Sequence, residues 1–309
     1  MSVEPGDHAE VRVAVATLWS DPTAPRPVDA RTLGVPSDVR GWVAGMSPDE
    51  RIHQGVLTQL LLGERVLVEQ ARDGWVRVVA LEQPAAKLDL RGYPGWLPAE
   101  QLAKASPTDG QRYVVDATAT ALRDEPAGDP ALTGVAVGTR LTVVGAASRG
   151  WLPVRVPGID VPLWALARDL VPAPAGTPEP AEALNVARRL LDVGYVWGGL
   201  SAYGVDCSGL VHLAWRRFGV SVPRDADDQR AATEPVPLGE ERPGDLYFFA
   251  RPDRAVHHVG YVAAPPSGDR REMVHACYTS RRVVAEPVAG ERADTLVGAG
   301  RVRPAPAGG

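Results

Sequence analysis

The chain has 309 residues, 45% of them apolar and 23% charged, and a net charge of −5. That balance belongs to a globular protein long enough for two or three domains, and it carries no basic footprint for nucleic acid. Two cysteines are too few for a disulfide framework, so the fold must rest on its core.

The first residues, MSVEPGDHAEVRVAVATLW, are acidic early and lack the long apolar run of a secretory signal. No later stretch has the length of a membrane span. A cytoplasmic location without nucleic-acid partners is therefore expected, while the oligomeric state is not set by the sequence.

Two segments then echo each other: GERVLVEQARDGWVRVV from Gly63 and GTRLTVVGAASRGWLPVRV from Gly138. Each reads as an alternating strand, a turn, and Gly-Trp entering a second strand. Each is followed by a tryptophan in a short apolar run, GWLPAEQL and LWALARDL. Short strands with small turns predict two small β-barrels, at 8–106 and 110–172, with Trp75 and Trp151 as core plugs. The polar stretch KASPTDGQR separates them, and a proline-rich connector follows at 173–180. The first unit is larger. It contains an insertion with helical apolar spacing at Ile52, Val56, Leu57, Leu60 and Leu61. It ends in EQPAAKLDLRGYPGWLP. A bare barrel needs neither addition, so both are expected to shape a surface beside another domain.

Residues 181–304 have a different texture. ALNVARRLLDVG places Leu184, Ala187, Leu190 and Leu191 on one helical face, with Gly194 as its stop. After Cys207, the residues Val211, Ala214, Trp215 and Phe218 repeat at helical spacing up to Gly219. Strand-like pieces follow: DLYFF, HHVGYV, EMVHACY and RRVVAEPV. Helices followed by a run of strands predict an α+β domain with an antiparallel sheet.

In YVWGGLSAYGVDCSGLVHLAW, Cys207 stands where loop becomes helix. A helix N-terminus favours the thiolate through its free N–H groups and dipole. Gly198, Gly199, Gly204 and Gly209 would leave open backbone for a substrate peptide. The other reading is a small buried hydrophobe, and this segment alone does not choose between them. The histidines bear on the choice, because a thiol nucleophile needs a base that a third polar group orients. His257 and His258 point to opposite faces of an extended strand, so at most one reaches the thiol. His258 and His275, on adjacent strands, would both face the helix end. His8, His53 and His212 have no such company and read as surface or structural residues.

In order, YVWGG, DCSGLV, PRDADDQ, PGDLYFF, HHVGYV and MVHA resemble the NlpC family of papain-like cell-wall cysteine peptidases, over Pro180 to about Arg303. The resemblance implies Cys207 as nucleophile, His258 as general base and His275 as the third polar residue. It also implies Tyr195 as polar wall or oxyanion donor. Upstream, VAVATLW, the strand at Gly63 and GYPGWLP resemble members with two bacterial SH3-like domains before the peptidase. The implied architecture is two small all-β barrels followed by an α+β papain-like domain.

The implied activity is hydrolysis of the γ-D-glutamyl–diamino acid bond in murein peptides with a free N-terminal L-Ala. This releases L-Ala-γ-D-Glu for recycling, with no metal or other cofactor. An ammonium in a partly dry site needs anionic partners and acceptors. Asp225 is the first candidate, its other reading being a helix N-cap. Tyr93 and Glu64 are offered from the first domain, and Asp206 and Ser208 flank the thiol. Two positions depart from the family pattern: Ala226 stands where serine is usual, and Cys277 follows the His-Ala pair. Cys277 reads as a packed thiol or as an oxidative partner of Cys207. Outside this reading stand acyl transfer or cleavage of another amide, a non-catalytic murein-peptide binding module, and a metal site of Cys207, His258 and His275. Closely paired metal ligands are absent from the sequence, which disfavours the last.

Overall fold

A computed structural model describes residues 3–107, 109–174 and 176–303. Thr108 and Ala175, in the two expected connectors, and residue 304, the expected end of the last domain, lie outside the described residues.

The first sheet contains β1 (His8–Val11), β2 (Val15–Trp19), β3 (Val56–Leu61), β4 (Arg65–Arg72), β5 (Trp75–Ala80), β6 (Tyr93–Pro98) and β7 (Leu102–Lys104). Its order is β3-β2-β6-β5-β4-β1-β7. The second contains β8 (Gln111–Val115), β9 (Ala119–Arg123), β10 (Pro130–Ala136), β11 (Arg140–Val143), β12 (Trp151–Val154), β13 (Leu163–Leu166) and β14 (Leu170–Pro172). Its order, β10-β9-β13-β12-β11-β8-β14, repeats the first strand for strand. The echo in the sequence is thus a repeat of the whole topology.

Three details differ from expectation. Ile52 to Leu61 does not form a helix: Val56–Leu61 is β3, paired antiparallel with β2, and the insertion's helix is the earlier α1 (Val39–Gly45). A short apolar run buried on both faces satisfies either periodicity, and pairing with β2 decides it here. Trp75 and Trp151 are half-buried rather than core plugs. The two barrel interiors are filled by branched aliphatics, such as Val66, Val76 and Leu97 in one and Leu122, Leu141 and Val154 in the other. Trp151 lies instead beneath the Arg123 guanidinium, 5.5 Å from its ring centre. Finally, α2 (Pro180–Arg188) stops before Leu190, and Leu191 is exposed. The left-handed residue beyond it is Asp192 (φ 67°), not Gly194.

The last domain sets α2 and α3 (Cys207–Arg216) against a six-stranded sheet. A small hairpin of β15 (Leu200–Ser201) and β16 (Gly204–Val205) leads into α3. After α4 (Ala226–Ala232) come β17 (Glu234–Val236), β18 (Leu246–Phe249), β19 (His258–Val262), β20 (Glu272–Cys277) and β21 (Arg282–Pro287). A short α5 (Glu291–Thr295) and β22 (Leu296–Arg301) complete it, in the order β17-β22-β18-β19-β20-β21.

One apolar cluster runs through all three parts of the chain. It joins Val15, Trp19 and Trp42, then Ala136 and Val137, to Leu210, Val211 and Trp215 of α3 and to Val259 and Val274 of the sheet. The far end of α3 is tied down by charge. Arg216, almost wholly buried, lies 3.4 Å from Glu64 and 3.2 Å from Glu82, and Arg140 of the second barrel lies 3.0 Å from Glu82. The helix that carries the thiol is therefore held by both β domains.

Candidate active site

Asp206 caps α3 and organises the loop before it. Its Oδ1 accepts from the Gly209 amide at 2.6 Å and its Oδ2 from the Gly198 amide at 2.9 Å. The buried Arg224 guanidinium donates to both oxygens, at 3.0 and 2.8 Å, and its Nε donates to Thr58 of the first domain at 2.7 Å. The Ser208 hydroxyl lies 3.3 Å from Asp206 and accepts from Arg224 at 3.0 Å. Asp206 and Ser208 therefore line the cavity beside Cys207, but their side chains are already engaged within the protein. They hold the loop that carries Cys207 rather than offering free groups.

The glycines do not leave open backbone for substrate. Gly198 has φ +71°, and a Cβ there would lie 2.6 Å from Val56 and 3.1 Å from the Leu57 backbone. A Cβ on Gly209 would lie 2.2 Å from the Gly199 carbonyl oxygen. These positions are small because the chain packs on itself and on β3 of the first domain.

Cys207 is buried, and its thiol is pushed up to about 12, not down. Burial and the Asp206 charge outweigh the amides of Val259 and Ser208, which favour the thiolate. The helix terminus is present as expected, but desolvation is the larger effect. Burial therefore opposes the thiolate that the helix terminus favours.

The Val259 amide at the sulfur places its neighbour, His258, at the same end of the sheet. His258 Nε2 lies 2.8 Å from His275 Nδ1, and His275 Nε2 lies 3.0 Å from the Glu286 carboxylate. Gly260 makes room for this contact: a Cβ there would lie 2.9 Å from the His275 Cβ. Burial, His275 and Arg292 hold His258 well below the usual histidine value. Burial and Arg292 lower His275 to about 4, against the raising effect of Glu286. His212 is structural, buried and bonded to the Val222 carbonyl at 2.7 Å, and His53 lies 3.0 Å from the Ala24 carbonyl oxygen.

Two cavities meet here. One, of about 450 Å³, is lined by Cys207, Tyr93, Asp225, Ala226, Asp227 and Gln54, among others. The other, of about 600 Å³, is lined by His258, Cys277, Tyr278, Arg251, Glu286 and Arg292, among others. Tyr195, Trp197 and His257 belong to both, so the boundary between the cavities lies beside the thiol and the histidine. Tyr195 is buried, edge-on to Tyr278, with its hydroxyl held far above the usual tyrosine value by burial and then by Cys207.

Asp225 stands at the N-cap of α4 but makes no capping hydrogen bond with its side chain. It accepts instead from the Tyr93 hydroxyl at 3.4 Å. Glu64 is not in the cavity. It is wholly buried, accepts from the Leu61 amide at 3.0 Å and Gln83 at 2.8 Å, and pairs with Arg216. A strand-start glutamate would ordinarily be solvated, but this one follows a turn that faces α3. The segment EQPAAKLDLRGYPGWLP does border the catalytic domain as expected. Pro84 accepts from the Arg224 amide at 3.0 Å, and Lys87 pairs with Asp227.

Both cysteines are free. Cys277 is packed as expected, accepting from Arg292 at 3.1 Å and the Ser280 amide at 3.4 Å. These contacts and the Arg292 charge hold its thiol below the ordinary value despite burial. Among the described residues, His275, Cys277 and Glu286 bring ligand-type atoms within 4.8 Å of one another, and Arg292 supplies the cation beside them. Sequence reasoning missed Glu286, Arg292 and Arg224. Arg224 lay inside the quoted PRDADDQ, whereas the other two are visible only once strand register is known.

Residues 192–300 match the NlpC/P60 family, and residues 47–102 match the bacterial dipeptidyl-peptidase SH3 domain. The chain is 34% identical over 277 residues to a γ-D-glutamyl-L-lysine dipeptidyl-peptidase of Bacillus subtilis, covering 87% of this chain and 90% of that one. It is 29% identical over 301 residues to the protein of that name from Bacillus cereus, covering 91% and 86%. The crystal structure of an NlpC/P60 family protein from Bacillus cereus superposes with a TM-score of 0.85 at 27% identity, covering 96% of this chain and all of that one. SH3-like β structure followed by a thiol-bearing α+β domain, at this similarity and coverage, makes the chain a member of the NlpC/P60 family of cysteine peptidases.

Proposed function

We propose that the enzyme hydrolyses the γ-D-glutamyl–diamino acid bond of murein peptides that carry a free N-terminal L-Ala. The observation that carries this reading is the Tyr93–Asp225 contact in the cavity that holds Cys207. A carboxylate that leaves its helix uncapped, beside a phenol from another domain, suits an ammonium in a partly dry site. Asp227 lines the same cavity but is paired with Lys87, and Ala226 offers no hydroxyl there. The names of the two Bacillus relatives support the same bond.

In the reaction, Cys207 Sγ attacks the γ-glutamyl carbonyl while His258 removes the thiol proton. Backbone amides at the start of α3 and the Tyr195 hydroxyl face the developing oxyanion. The C–N bond breaks as His258 returns the proton to the leaving amine, and water then hydrolyses the thioester. The leaving amine therefore lies on the His258 side, in the larger cavity. Small free peptides from wall turnover fit this selectivity, since stems still attached to sugar lack the amine. A role in murein-peptide recycling inside the cell follows from it. Among the described residues no helix is long and apolar enough to cross a membrane.

The test is release of L-Ala-γ-D-Glu from L-Ala-γ-D-Glu-L-Lys, compared with the same peptide N-acetylated. Cys207→Ala is expected to abolish turnover and keep the fold, and acetylation to suppress it. Equal rates on both peptides would remove the amine requirement, and an active Cys207→Ala would remove the mechanism.

A further inference from the structure

The Glu286 carboxylate has no proton to give and accepts only. At 3.0 Å it faces His275 Nε2, so that nitrogen carries the hydrogen of the neutral ring. His275 Nδ1 is then an acceptor, and the nitrogen 2.8 Å from it, His258 Nε2, must donate. A neutral His258 that donates through Nε2 has its lone pair on Nδ1. We propose that Glu286 is a positioning residue: it fixes the tautomer of both imidazoles and so makes His258 Nδ1 the atom that receives the Cys207 proton. The inference rests on the assignment of Cys207 and His258 given above.

Glu286 is itself held in place, with Arg292 Nε 3.4 Å from its Oε1. The surroundings support the neutral state the chain of hydrogen bonds requires, since both rings are buried beside the Arg292 charge. The other charged or titratable groups around the pair are His257 before β19, Cys277 on β20, Tyr278 after it, Glu291 on α5, Arg251, Tyr195 and Cys207. None of these is placed to set the His275 proton. Without a carboxylate, His275 is free to carry its hydrogen on Nδ1 and donate to His258 Nε2. His258 then bears its hydrogen on Nδ1 and cannot act as base.

The experiment follows L-Ala-γ-D-Glu-L-Lys hydrolysis by Glu286→Gln, Glu286→Asp and Arg292→Gln across pH, with thermal melts confirming folded protein. In Glu286→Gln, kcat should fall about ten- to a hundredfold, part of the 10²–10⁴ that general acid–base catalysis contributes, with KM little changed. Glu286→Asp should recover part of the loss. The acid limb of kcat/KM reports the free enzyme's base. It should move to lower pH in Glu286→Gln, because a negative charge that raised the pair is gone, and to higher pH in Arg292→Gln. A purely structural role would leave that limb in place. A wild-type kcat and an unmoved acid limb in Glu286→Gln would overturn the inference while leaving Cys207 and His258 untouched. Full activity in Cys207→Ala would remove the reading beneath it, so the two failures are distinguishable.

Discussion

The two β domains have the same strand order and different work. The first reaches the cavity beside Cys207 with Gln54, Val56, Leu57 and Tyr93, whereas among the described residues neither cavity is lined by one of the second. The difference lies in the loops. Between the second and third strands the first domain spends residues 20–55, and the second only 124–129. The second domain braces α3 from behind instead. Gly138 packs on Leu213 and Arg216, and Arg140 donates to the Gly219 carbonyl at 3.3 Å. One scaffold has been used as a wall of the site and then as a buttress for the helix that bears Cys207.

The largest expected effect strikes where the two uses meet. Arg216→Met leaves Glu64 and Glu82 buried near each other, with Arg140 and the more exposed Arg65 left beside Glu82 to compensate. Removing one partner of a buried ionic group costs about 3–5 kcal/mol, which denaturant unfolding will measure. A cost below about 1 kcal/mol would mean that the network is decorative and that the apolar cluster alone joins the domains.

Next come the residues of the wall. Asp225→Asn should lower kcat/KM for the free-amine peptide by about ten- to a hundredfold, the range of a hydrogen bond to a charged group worth about 1.5–3 kcal/mol. Rates on the N-acetylated peptide should hardly change. Tyr93→Phe removes a neutral hydroxyl and should cost about tenfold or less. If both variants lose activity equally on the two peptides, the first domain shapes the site without reading the amine. The pH dependence adds a separate check. As the proposed base, His258 must be neutral to accept a proton, and burial and its neighbours hold it well below 6.5. Activity should therefore persist through mildly acidic pH and fall only once pH drops through that lowered value. An acid limb above 6.5 would contradict this.

Much of this was legible in the sequence because it depends on local pattern. The repeat showed as two Gly-Trp strand pairs, and Cys207 and the histidines showed as residue types at a loop–helix junction and on adjacent strands. What was not legible depends on which surfaces meet. Glu64 and Arg216 are unremarkable alone, and only docking of the first domain on α3 makes them partners. The glycines around Cys207 look like room for a ligand until β3 is seen to occupy that room. The thiol's ionisation failed for a related reason: a helix N-terminus is written in the sequence, but the depth at which it is buried is not. Glu286 joins the histidines only through the register of β20 with β21, where Met273 pairs with Glu286 and His275 with Val284.

The smallest expected effect isolates the buttress. Asp116 of the second domain accepts from Arg217 at 2.6 Å and Arg189 at 3.1 Å, joining that barrel to the C-terminal ends of α3 and α2. Its side chain is 37% exposed and that of Arg189 38%, so although Arg217 is only 11% exposed, solvent reaches the carboxylate and screens much of the attraction. Exposed pairs of this kind are worth about 0–1 kcal/mol. Asp116→Ala should therefore lower stability by no more than that and leave kcat and KM on the free tripeptide unchanged. The contrast with Arg216→Met is the point of the measurement, because both substitutions cut charges between a β domain and the catalytic domain. If the buried network matters because its charges have no access to water, the two should differ severalfold in unfolding free energy. If Asp116→Ala instead lowered kcat, the second domain would be transmitting its position to Cys207 through the helices, and its role as a passive brace would fail.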